Sequence, residues 1–181
     1  MAGDAVDISL VAPVYNEKEC IEEFVREADG ALKTLARPYE IVCADDCSSD
    51  GTRDILVRLK APFPALRVVR LSQRQGQSGA FEAGIRAARG AYIVLIDADL
   101  QNDPADIGKL IAALEAPDRP ACAAGRRAKR QDNFVRRVSS KIANAVRVWL
   151  TGDPILDTGC SLKAFRAPYA KRMKIFRGLH R

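Results

Sequence analysis

Two carboxylates stand two positions apart at Asp97 and Asp99, and an amide follows at the same spacing in Gln101. They come directly after the apolar run Ala91–Ile96, which predicts a short strand buried on both faces. Carboxylates at the end of a buried strand are costly to leave unpaired, and a divalent cation would neutralise them. Oxygen ligands of this kind suit Mg²⁺ or Mn²⁺. The alternative is a solvated loop in which an Asp caps the helix that can begin at Pro104.

A second polar loop, Asp45–Thr52, follows another apolar stretch. Its last residues, Asp50–Thr52, are explained by capping of the helix that comes next. Capping does not explain the adjacent pair Asp45 and Asp46. Carboxylates in this position can accept hydrogen bonds from a base N–H or from ribose hydroxyls, so the pair favours a binding role.

A third polar segment, Gln75–Gly79, opens a predicted helix but matches neither a P-loop nor a dinucleotide-binding fingerprint. Its glycines either permit tight packing or let backbone N–H groups approach a phosphate. Without a further signal, the segment favours packing.

Apolar strands alternate with amphipathic helices, which predicts an α/β fold with a doubly wound, mostly parallel sheet. Pro13 is expected to end the first strand, Asn16 to cap the helix after it, and Gly90 to end the helix before the carboxylate motif. The predicted strands are 7–12, 39–44, 66–71, 91–96 and 121–124, with a further short strand within 157–165. The predicted helices are 17–35, a short one after Thr52, 80–89, 107–114 and 132–150.

The polar loops are expected to meet at one edge of this sheet. In open α/β sheets, ligands bind beyond the carboxyl ends of the strands, where the strand order reverses. The loops after the first, second and fourth strands all lie at that edge. We therefore expect Tyr15 to lie close to the pair Asp45 and Asp46 and to the pair Asp97 and Asp99.

The chain length of 181 residues fits a single domain. Its five cysteines form no Cys-x-x-Cys pair and its one histidine is His180, which argues against a zinc site and against a Ser-His-Asp hydrolase. The amino terminus lacks the basic and apolar parts of a signal peptide, and no apolar run approaches the roughly 18–20 residues of a bilayer span. The expected location is therefore the cytoplasm.

The net charge of +6 is unevenly distributed along the chain. Residues 1–125 hold 14 Lys and Arg against 20 Asp and Glu, a net charge of −6, whereas residues 126–181 hold 15 against 3, a net charge of +12. A basic end on an acidic body indicates an anionic partner: phosphate, a lipid surface or nucleic acid. The dense segment Gly125–Arg130 is either a solvated basic loop or a phosphate clamp, for which Arg offers planar bidentate donors.

Four motifs follow one another along the chain, in Val11–Glu17, Asp45–Thr52, Gly76–Gly84 and Asp97–Pro104. Further matches lie in Gly125–Arg130, Arg136–Lys141 and Asp157–Arg166. Together they resemble the family 2 glycosyltransferases, above all the polyprenyl-phosphate branch that includes dolichol-phosphate mannose synthase and bacterial undecaprenyl-phosphate glycosyltransferases. The resemblance covers nearly the whole chain. The four motifs in this order are specific, although any one of them alone is not.

The resemblance implies a GT-A fold that binds a nucleotide-sugar and uses Mg²⁺ or Mn²⁺. It divides the single domain 1–181 into a nucleotide-sugar-binding part, 1–125, and a basic acceptor-side part, 126–181. By matching motif, the nucleotide would be bound by Pro13, Tyr15, Glu17, Asp45 or Asp46, and Asp97. The metal and diphosphate would be held by Asp97, Asp99 and Gln101, with Asp99 and Gln101 the expected direct ligands. The acceptor phosphate or the diphosphate would face Arg127, Arg130, Arg136 or Arg137, and Ser140, and the expected catalytic residues are Asp99, Arg127 and Arg130.

These expectations describe an inverting, metal-dependent glycosyltransferase that moves a sugar from a nucleotide-sugar to a polyprenyl phosphate. UDP is favoured over GDP because the segment Asp157–Cys160 resembles bacterial members. A phosphate acceptor is already ionised near neutral pH and needs positioning rather than a general base, and no Glu-Asp pair follows the carboxylate motif to act as one.

Three alternatives to this function remain. One is the same fold with a saccharide or protein acceptor. The others, from different classes, are a basic nucleic-acid-binding domain and a non-catalytic nucleotide-binding domain. An aromatic content of 6% and the lack of a stacking motif argue against nucleic acid as a partner.

The resemblance also implies a peripheral protein at the inner, cytoplasmic face of a membrane. Members of the branch often continue past the equivalent of Arg181, commonly into membrane helices. Two alternatives follow for this chain: a shortened form of such a protein, or a soluble form.

Overall fold

A computed structural model of the chain describes residues 5–118, 120–125 and 160–173. The strands are β1 (Ile8–Val14), β2 (Tyr39–Asp45), β3 (Leu66–Arg70), β4 (Tyr92–Leu95), β5 (Cys122–Ala124) and β6 (Lys163–Arg166). The helices are α1 (Ile21–Thr34), α2 (Thr52–Leu59), α3 (Gly76–Ala87) and α4 (Ile107–Leu114), with a 3₁₀ turn at Pro104–Asp106 and a final helical turn at Ala167–Ala170. The predicted helix 132–150 lies outside the described residues. Within the described ranges, no helix is both long and apolar enough to cross a bilayer.

The described strands form one sheet in the order β3-β2-β1-β4-β6-β5. β1 pairs in parallel with β2 and β4, and β2 pairs in parallel with β3. β6 runs antiparallel to β4 and to β5, so the sheet is mixed at this end. The predicted α/β fold with a doubly wound, mostly parallel sheet is confirmed. The chain runs outward from β1 to β3 and returns to the other side of β1 as β4, so the strand order reverses between β1 and β4.

The two faces of the sheet are covered by different helices. Along β1, Ile8, Leu10, Ala12 and Val14 are at most 1% exposed and share one apolar cluster with residues of α1, α2 and α4. Val11, between them, joins a second cluster with residues of α3. Because successive side chains of a strand point to opposite faces, β1 is buried from both sides, which explains why its sequence is apolar except at Ser9.

Pro13 lies inside β1, so the prediction that it ends the strand is wrong. The carbonyl of Val11 accepts the N–H of Ile96 on the β4 side, and the carbonyl of Val14 accepts the N–H of Asp46 on the β2 side. Because backbone groups alternate between the two neighbouring strands, Pro13 faces the β4 side. β4 has already ended at this level, so the missing N–H of proline costs no ladder hydrogen bond.

Two predicted helix boundaries are also wrong. α1 begins at Ile21 rather than after Asn16, which has a φ of 55° and binds the loop after β2 instead. α3 ends at Ala87, before Gly90. A Cβ on Gly90 would lie 2.6 Å from the backbone nitrogen of Ser9, so glycine is needed there for a close backbone contact rather than for a helix cap.

A buried carboxylate, Glu40, holds the amino ends of the strands together, away from the carboxyl edge. It is 1% exposed and accepts hydrogen bonds from Ser9 Oγ at 2.6 Å, the Arg67 guanidinium at 2.7 Å and the Arg89 backbone N–H at 2.7 Å. Burial alone would raise the pKa of Glu40, but these hydrogen bonds and the charge of Arg67 outweigh it, so the pKa lies below its ordinary value. The carboxylate therefore stabilises the fold in its ionised form.

Candidate active site at the carboxyl edge of the sheet

The polar loops after β1, β2 and β4 meet at the carboxyl edge of the sheet, as the predicted topology requires. Together with the start of α3 they form a cleft of about 280 Å³, at the point where β1 continues past the end of β4. The cleft is lined by Pro13, Val14, Tyr15, Glu17, Asp46, Arg74, Gly76, Gln77, Ala80, Asp97, Ala98 and Asp99. Residues that the sequence singled out on three separate loops are thus brought into one site.

The other predicted site residues divide into two groups. Asp45 and Gln101 are described but do not line the cleft. The second group lies outside the described residues, and its roles stay predictions: Arg127, Arg130, Arg136, Arg137 and Ser140.

β2 continues through Asp45, and the alternation of its side chains decides which of the two adjacent carboxylates faces the cleft. Asp46 lines the cleft, and its Oδ1 and Oδ2 accept the backbone N–H groups of Gln75 and Gly76, each at 2.7 Å. Asp45 lies on the opposite face and accepts the N–H of Ser48 at 3.0 Å. Its second oxygen is buried and has no hydrogen-bond partner among the described residues. The structure therefore distinguishes the roles of Asp45 and Asp46, which the sequence alone did not.

The segment Gln75–Gly79 forms the start of α3, which begins at Gly76 rather than Ala80. Gly76 has a φ of 77°, a conformation that suits glycine and lets neighbouring N–H groups converge on one anion. That anion is the carboxylate of Asp46, which the sequence did not suggest. Packing, the favoured alternative, applies within the segment at Gly79, where a Cβ would lie 2.4 Å from Gln75 Cβ. It applies again beyond the segment at Gly84, where a Cβ would lie 2.4 Å from Val11 Cγ1.

Hydrogen bonds between the loops after β1 and β2 fix one wall of the cleft. The Oδ1 of Asn16 accepts the N–H of Ser49 at 2.9 Å. Asp50 accepts the N–H of Lys18 at 3.1 Å with one oxygen and the N–H of Thr52 at 2.9 Å with the other. The N-cap residue of α2 is Gly51, and Asp50, one residue earlier, binds the first N–H of the helix and connects the two loops.

The carboxylate motif follows β4 with its two acids in different surroundings. Asp97 is half-buried, and its Oδ1 accepts the Nε2–H of Gln77 at 2.6 Å. Asp99 is exposed, and its Oδ1 accepts the backbone N–H of Gln101 at 3.1 Å across Leu100, whose φ is 61°. A left-handed conformation at a bulky residue costs on the order of 1 kcal/mol, and packing of Leu100 against the core offsets this cost.

The donor set at this strand end fits a hard divalent cation. The two carboxylates of Asp97 and Asp99 line the cleft, and no group of three potential Asp, Glu, His or Cys ligands occurs in the part of the chain that the structure describes. Mg²⁺ in such sites is commonly held by one or two carboxylates and takes its other oxygen ligands from water and substrate phosphates. The arrangement therefore suits a cation shared with a phosphate-bearing ligand rather than one enclosed by protein.

Arg74 is a cleft residue that sequence reasoning missed. Its guanidinium carbon lies 3.8 Å from the centre of the Tyr15 ring, and such a stack contributes about 0.5–1 kcal/mol at an exposed site. The stack places a positive charge among the acidic residues of the cleft. Arg74 directly precedes the segment Gln75–Gly79, and this position could have marked it as a candidate. Only the fold shows that this segment meets the loop after β1.

Cys20 was also missed, because a single cysteine carries no motif. Its Sγ lies 3.0 Å from Glu17 Oε2 and 3.4 Å from the carbonyl oxygen of Ala98. Burial raises the pKa of this thiol to about 12, and the hydrogen bond to Glu17 and the charge of Asp99 add to the effect. The thiol therefore stays protonated near neutral pH and connects the loop after β1 to the carboxylate motif.

Asn102 connects the carboxylate motif to the segment before β6. Its Nδ2 donates to Ser161 Oγ at 2.8 Å, and Cys160 Sγ lies 3.6 Å from its Oδ1. The described end of the Asp157–Arg166 motif is thereby placed beside the loop that carries Asp99.

Comparison with known proteins identifies relatives along almost the whole chain. The family described as glycosyl transferase family 2 matches residues 9–173. Dodecaprenyl-phosphate galacturonate synthase of Rhizobium johnstonii is 34% identical over 181 residues, which cover 98% of this chain and 53% of the relative. Undecaprenyl-phosphate 4-deoxy-4-formamido-L-arabinose transferase of Edwardsiella ictaluri is 38% identical over 169 residues, which cover 92% of this chain and 51% of the relative. The chain thus spans about half the length of these curated relatives.

Solved structures show the same fold. A mannosyltransferase from Pyrobaculum calidifontis in complex with GDP-Man and Mn²⁺ matches with a TM-score of 0.66 and 24% identity, over 93% of this chain and 47% of that one. Glucosyl-3-phosphoglycerate synthase from Mycobacterium tuberculosis, in complex with Mn²⁺, UDP-Glc and phosphoglyceric acid, matches with a TM-score of 0.68 and 21% identity, over 90% of this chain and 57% of that one. These likenesses confirm the GT-A fold, and the names of the curated relatives confirm the resemblance to the polyprenyl-phosphate branch. The chain belongs to glycosyl transferase family 2.

Proposed function

We propose that this chain carries the catalytic domain of a metal-dependent, inverting glycosyltransferase. It would transfer a sugar from a nucleotide-sugar, UDP favoured over GDP, to a polyprenyl phosphate at the cytoplasmic face of a membrane. The observation that carries the proposal is the cleft between β1 and β4, in which Asp46, Asp97 and Asp99 converge from loops far apart in sequence. The names of the family relatives supply the acceptor class.

The nucleoside would bind along the wall formed by the loops after β1 and β2. Pro13, Tyr15 and Glu17 line this wall, and Tyr15 offers an aromatic face. We expect Asp46 rather than Asp45 to contact the nucleoside, since of the two only Asp46 lines the cleft. Each oxygen of Asp46 already accepts one backbone N–H, yet a carboxylate oxygen has a second lone pair for a ligand.

The diphosphate would lie nearer the end of β4. Asp97 and Asp99 would hold Mg²⁺ or Mn²⁺ there, with Gln101 as a further proposed ligand. A bound cation of this kind neutralises the negative charge that develops on a departing diphosphate. Arg74 adds a positive charge within the cleft, and its stack on Tyr15 restricts the guanidinium in advance of binding.

The acceptor would be positioned by the basic part of the chain. Its phosphate oxygen attacks the anomeric carbon from the face opposite the diphosphate, and the bond from that carbon to the diphosphate breaks with its electron pair going to the leaving group. The configuration at the anomeric carbon is therefore inverted in the product. The acceptor oxygen is already ionised, so the residues have to bind and orient it rather than remove a proton. The residues proposed for this are Arg127, Arg130, Arg136 or Arg137, and Ser140.

The proposal is tested by transfer from a panel of UDP- and GDP-sugars to a short polyprenyl phosphate, with Mn²⁺ or Mg²⁺ and with EDTA. We expect transfer that EDTA abolishes, and loss of metal-dependent nucleotide binding in Asp99→Asn. The matched control is Asp106→Asn, which removes a carboxylate that is paired with Lys109 and lies outside the cleft lining. Unchanged binding in Asp99→Asn would show that the metal site is misassigned. Transfer to a saccharide, but not to the lipid, would contradict the proposed acceptor and would be consistent with the proposed donor site.

A further inference from the structure

The chain on either side of residues 126–159, which lie outside the described ranges, is at the carboxyl edge of the sheet. β6 runs antiparallel to β4 and to β5, and its first residue pairs with the last residue of each of them. The chain therefore leaves β5 at Gly125, and returns through Cys160 to β6, at the edge that carries the cleft. The N–H of Gly125 donates to the carbonyl of Leu162 at 2.9 Å, and a Cβ on Gly125 would lie 3.2 Å from Cys160 Sγ. The two points at which this part of the chain joins the sheet are thus neighbours.

Asn102 connects this junction to the carboxylate motif. It comes three residues after Asp99, its Nδ2 donates to Ser161 Oγ at 2.8 Å, and its Oδ1 accepts the thiol of Cys160 at 3.6 Å. One amide group therefore contacts two consecutive residues at the point where the chain returns to the sheet. Asn102 does not itself line the cleft.

Separate contacts hold the same loop on the side of the cleft. Gln77 Nε2 donates to Asp97 Oδ1 at 2.6 Å, and the thiol of Cys20 lies 3.4 Å from the carbonyl oxygen of Ala98. Neither contact involves Asn102, so its amide can be removed while the cleft side of the loop stays anchored. The loss of the amide should therefore affect the segment before β6 rather than the binding of a nucleotide.

We propose that Asn102 is a positioning residue that aligns the acceptor with the donor site, because it holds Cys160 and Ser161 against the loop that carries Asp99. Transfer depends on such alignment: the reacting atoms must lie about 3–3.5 Å apart, and a displacement of about 1 Å can slow a reaction about 100-fold. This inference rests on the proposed function, since it takes the acceptor to be bound by residues within 126–159.

The test measures two quantities in the same variants. One is kcat/KM for a short polyprenyl phosphate, with saturating donor and Mn²⁺. The other is the dissociation constant of UDP with Mn²⁺, or of GDP if the active donor is a GDP-sugar. Asn102→Ala, Ser161→Ala and the double variant remove the hydrogen bond from either side and from both. The control is Asp103→Ala in the same loop, whose exposed carboxylate accepts the N–H of Ala105 at 2.8 Å instead.

We expect each single variant to lower kcat/KM for the lipid about tenfold, because the loss of one contact permits a displacement of less than about 1 Å. The double variant should also lose about tenfold rather than about 100-fold, since both changes remove the same contact. Asp103→Ala should keep kcat/KM within about twofold of wild type, and nucleotide binding should stay within the same limit in all variants.

Three results would overturn the positioning role: single variants with the kcat/KM of wild type, losses that multiply in the double variant, or nucleotide binding that weakens as much as kcat/KM falls. An equal loss in Asp103→Ala would also overturn it, because any loosening of the loop would then have the same effect. A wild-type chain that transfers no sugar to the lipid would refute the proposed function, and with it the basis of this inference.

Discussion

Asp46→Asn tests the connection between the loop after β2 and α3. In the native protein each carboxylate oxygen accepts one backbone N–H, from Gln75 and from Gly76, at 2.7 Å. Asparagine has the same shape, but its Nδ2 would face one of these donors, so one bond is lost and two N–H groups oppose each other. A hydrogen bond to a charged group contributes about 1.5–3 kcal/mol. The site is 2% exposed, so water cannot replace the bond readily.

We therefore expect Asp46→Asn to lower the free energy of unfolding by about 2–3 kcal/mol in the absence of nucleotide. For a chain of this size that corresponds to a fall in Tm of about 4–12 °C. Urea denaturation followed by circular dichroism gives the free energy directly. The control Asp54→Asn removes an exposed carboxylate from the first turn of α2, where it contributes about 0.3–1 kcal/mol through the helix dipole. If the loss in Asp46→Asn were no larger than in this control, the two amide contacts would not anchor α3.

Two further changes test the packing and the acid sensitivity of the sheet. Gly84→Ala should destabilise the fold by about 1–3 kcal/mol in urea denaturation, because its Cβ would lie 2.4 Å from Val11 Cγ1. Gly30→Ala has no atom within 4 Å of the new Cβ and should instead stabilise α1 by up to about 1 kcal/mol, so equal effects would contradict the packing account. Because the folded-state pKa of Glu40 is lowered, its stabilising effect is present above the ordinary value of 4.5 and is lost as the pH falls through the lower folded value. The free energy of unfolding should therefore fall less between about pH 6 and about pH 4 in Glu40→Gln than in wild type. The control Glu22→Gln, which removes an exposed ion pair, should show the same fall as wild type.

Much of the fold was accessible from the sequence because its signals are local. Short stretches rich in apolar residues predicted the strands β1 to β4, and the spacing of apolar residues predicted α1, α2 and α4. The position of Pro104 predicted where the segment after the carboxylate motif becomes helical, and a 3₁₀ turn does begin there. The general rule that ligands bind at the carboxyl ends of parallel strands then predicted the edge at which Tyr15, Asp97 and Asp99 meet.

The ends of helices and strands were harder to predict from the sequence, since they depend on where the neighbouring strands and loops lie. Pro13 stays in β1 because β4 has ended beside it, which no property of the residue itself reveals. Asn16 has the composition of a helix cap, yet it binds Ser49 because the loop after β2 lies within reach. Local preference predicts such residues only where no tertiary partner competes for them.

By itself, the sequence determined the order of strands and helices along the chain, the carboxylates that follow β4, and family membership through four spaced motifs. Only the tertiary structure decided that Asp46 rather than Asp45 lines the cleft, because the choice depends on how far β2 continues before the chain turns. It also decided the contacts of Cys20 with Ala98 and of Gln77 with Asp97, which join residues 78 and 20 positions apart. Such contacts are set by how helices and loops pack across the sheet, and periodicity along the chain carries no information about them.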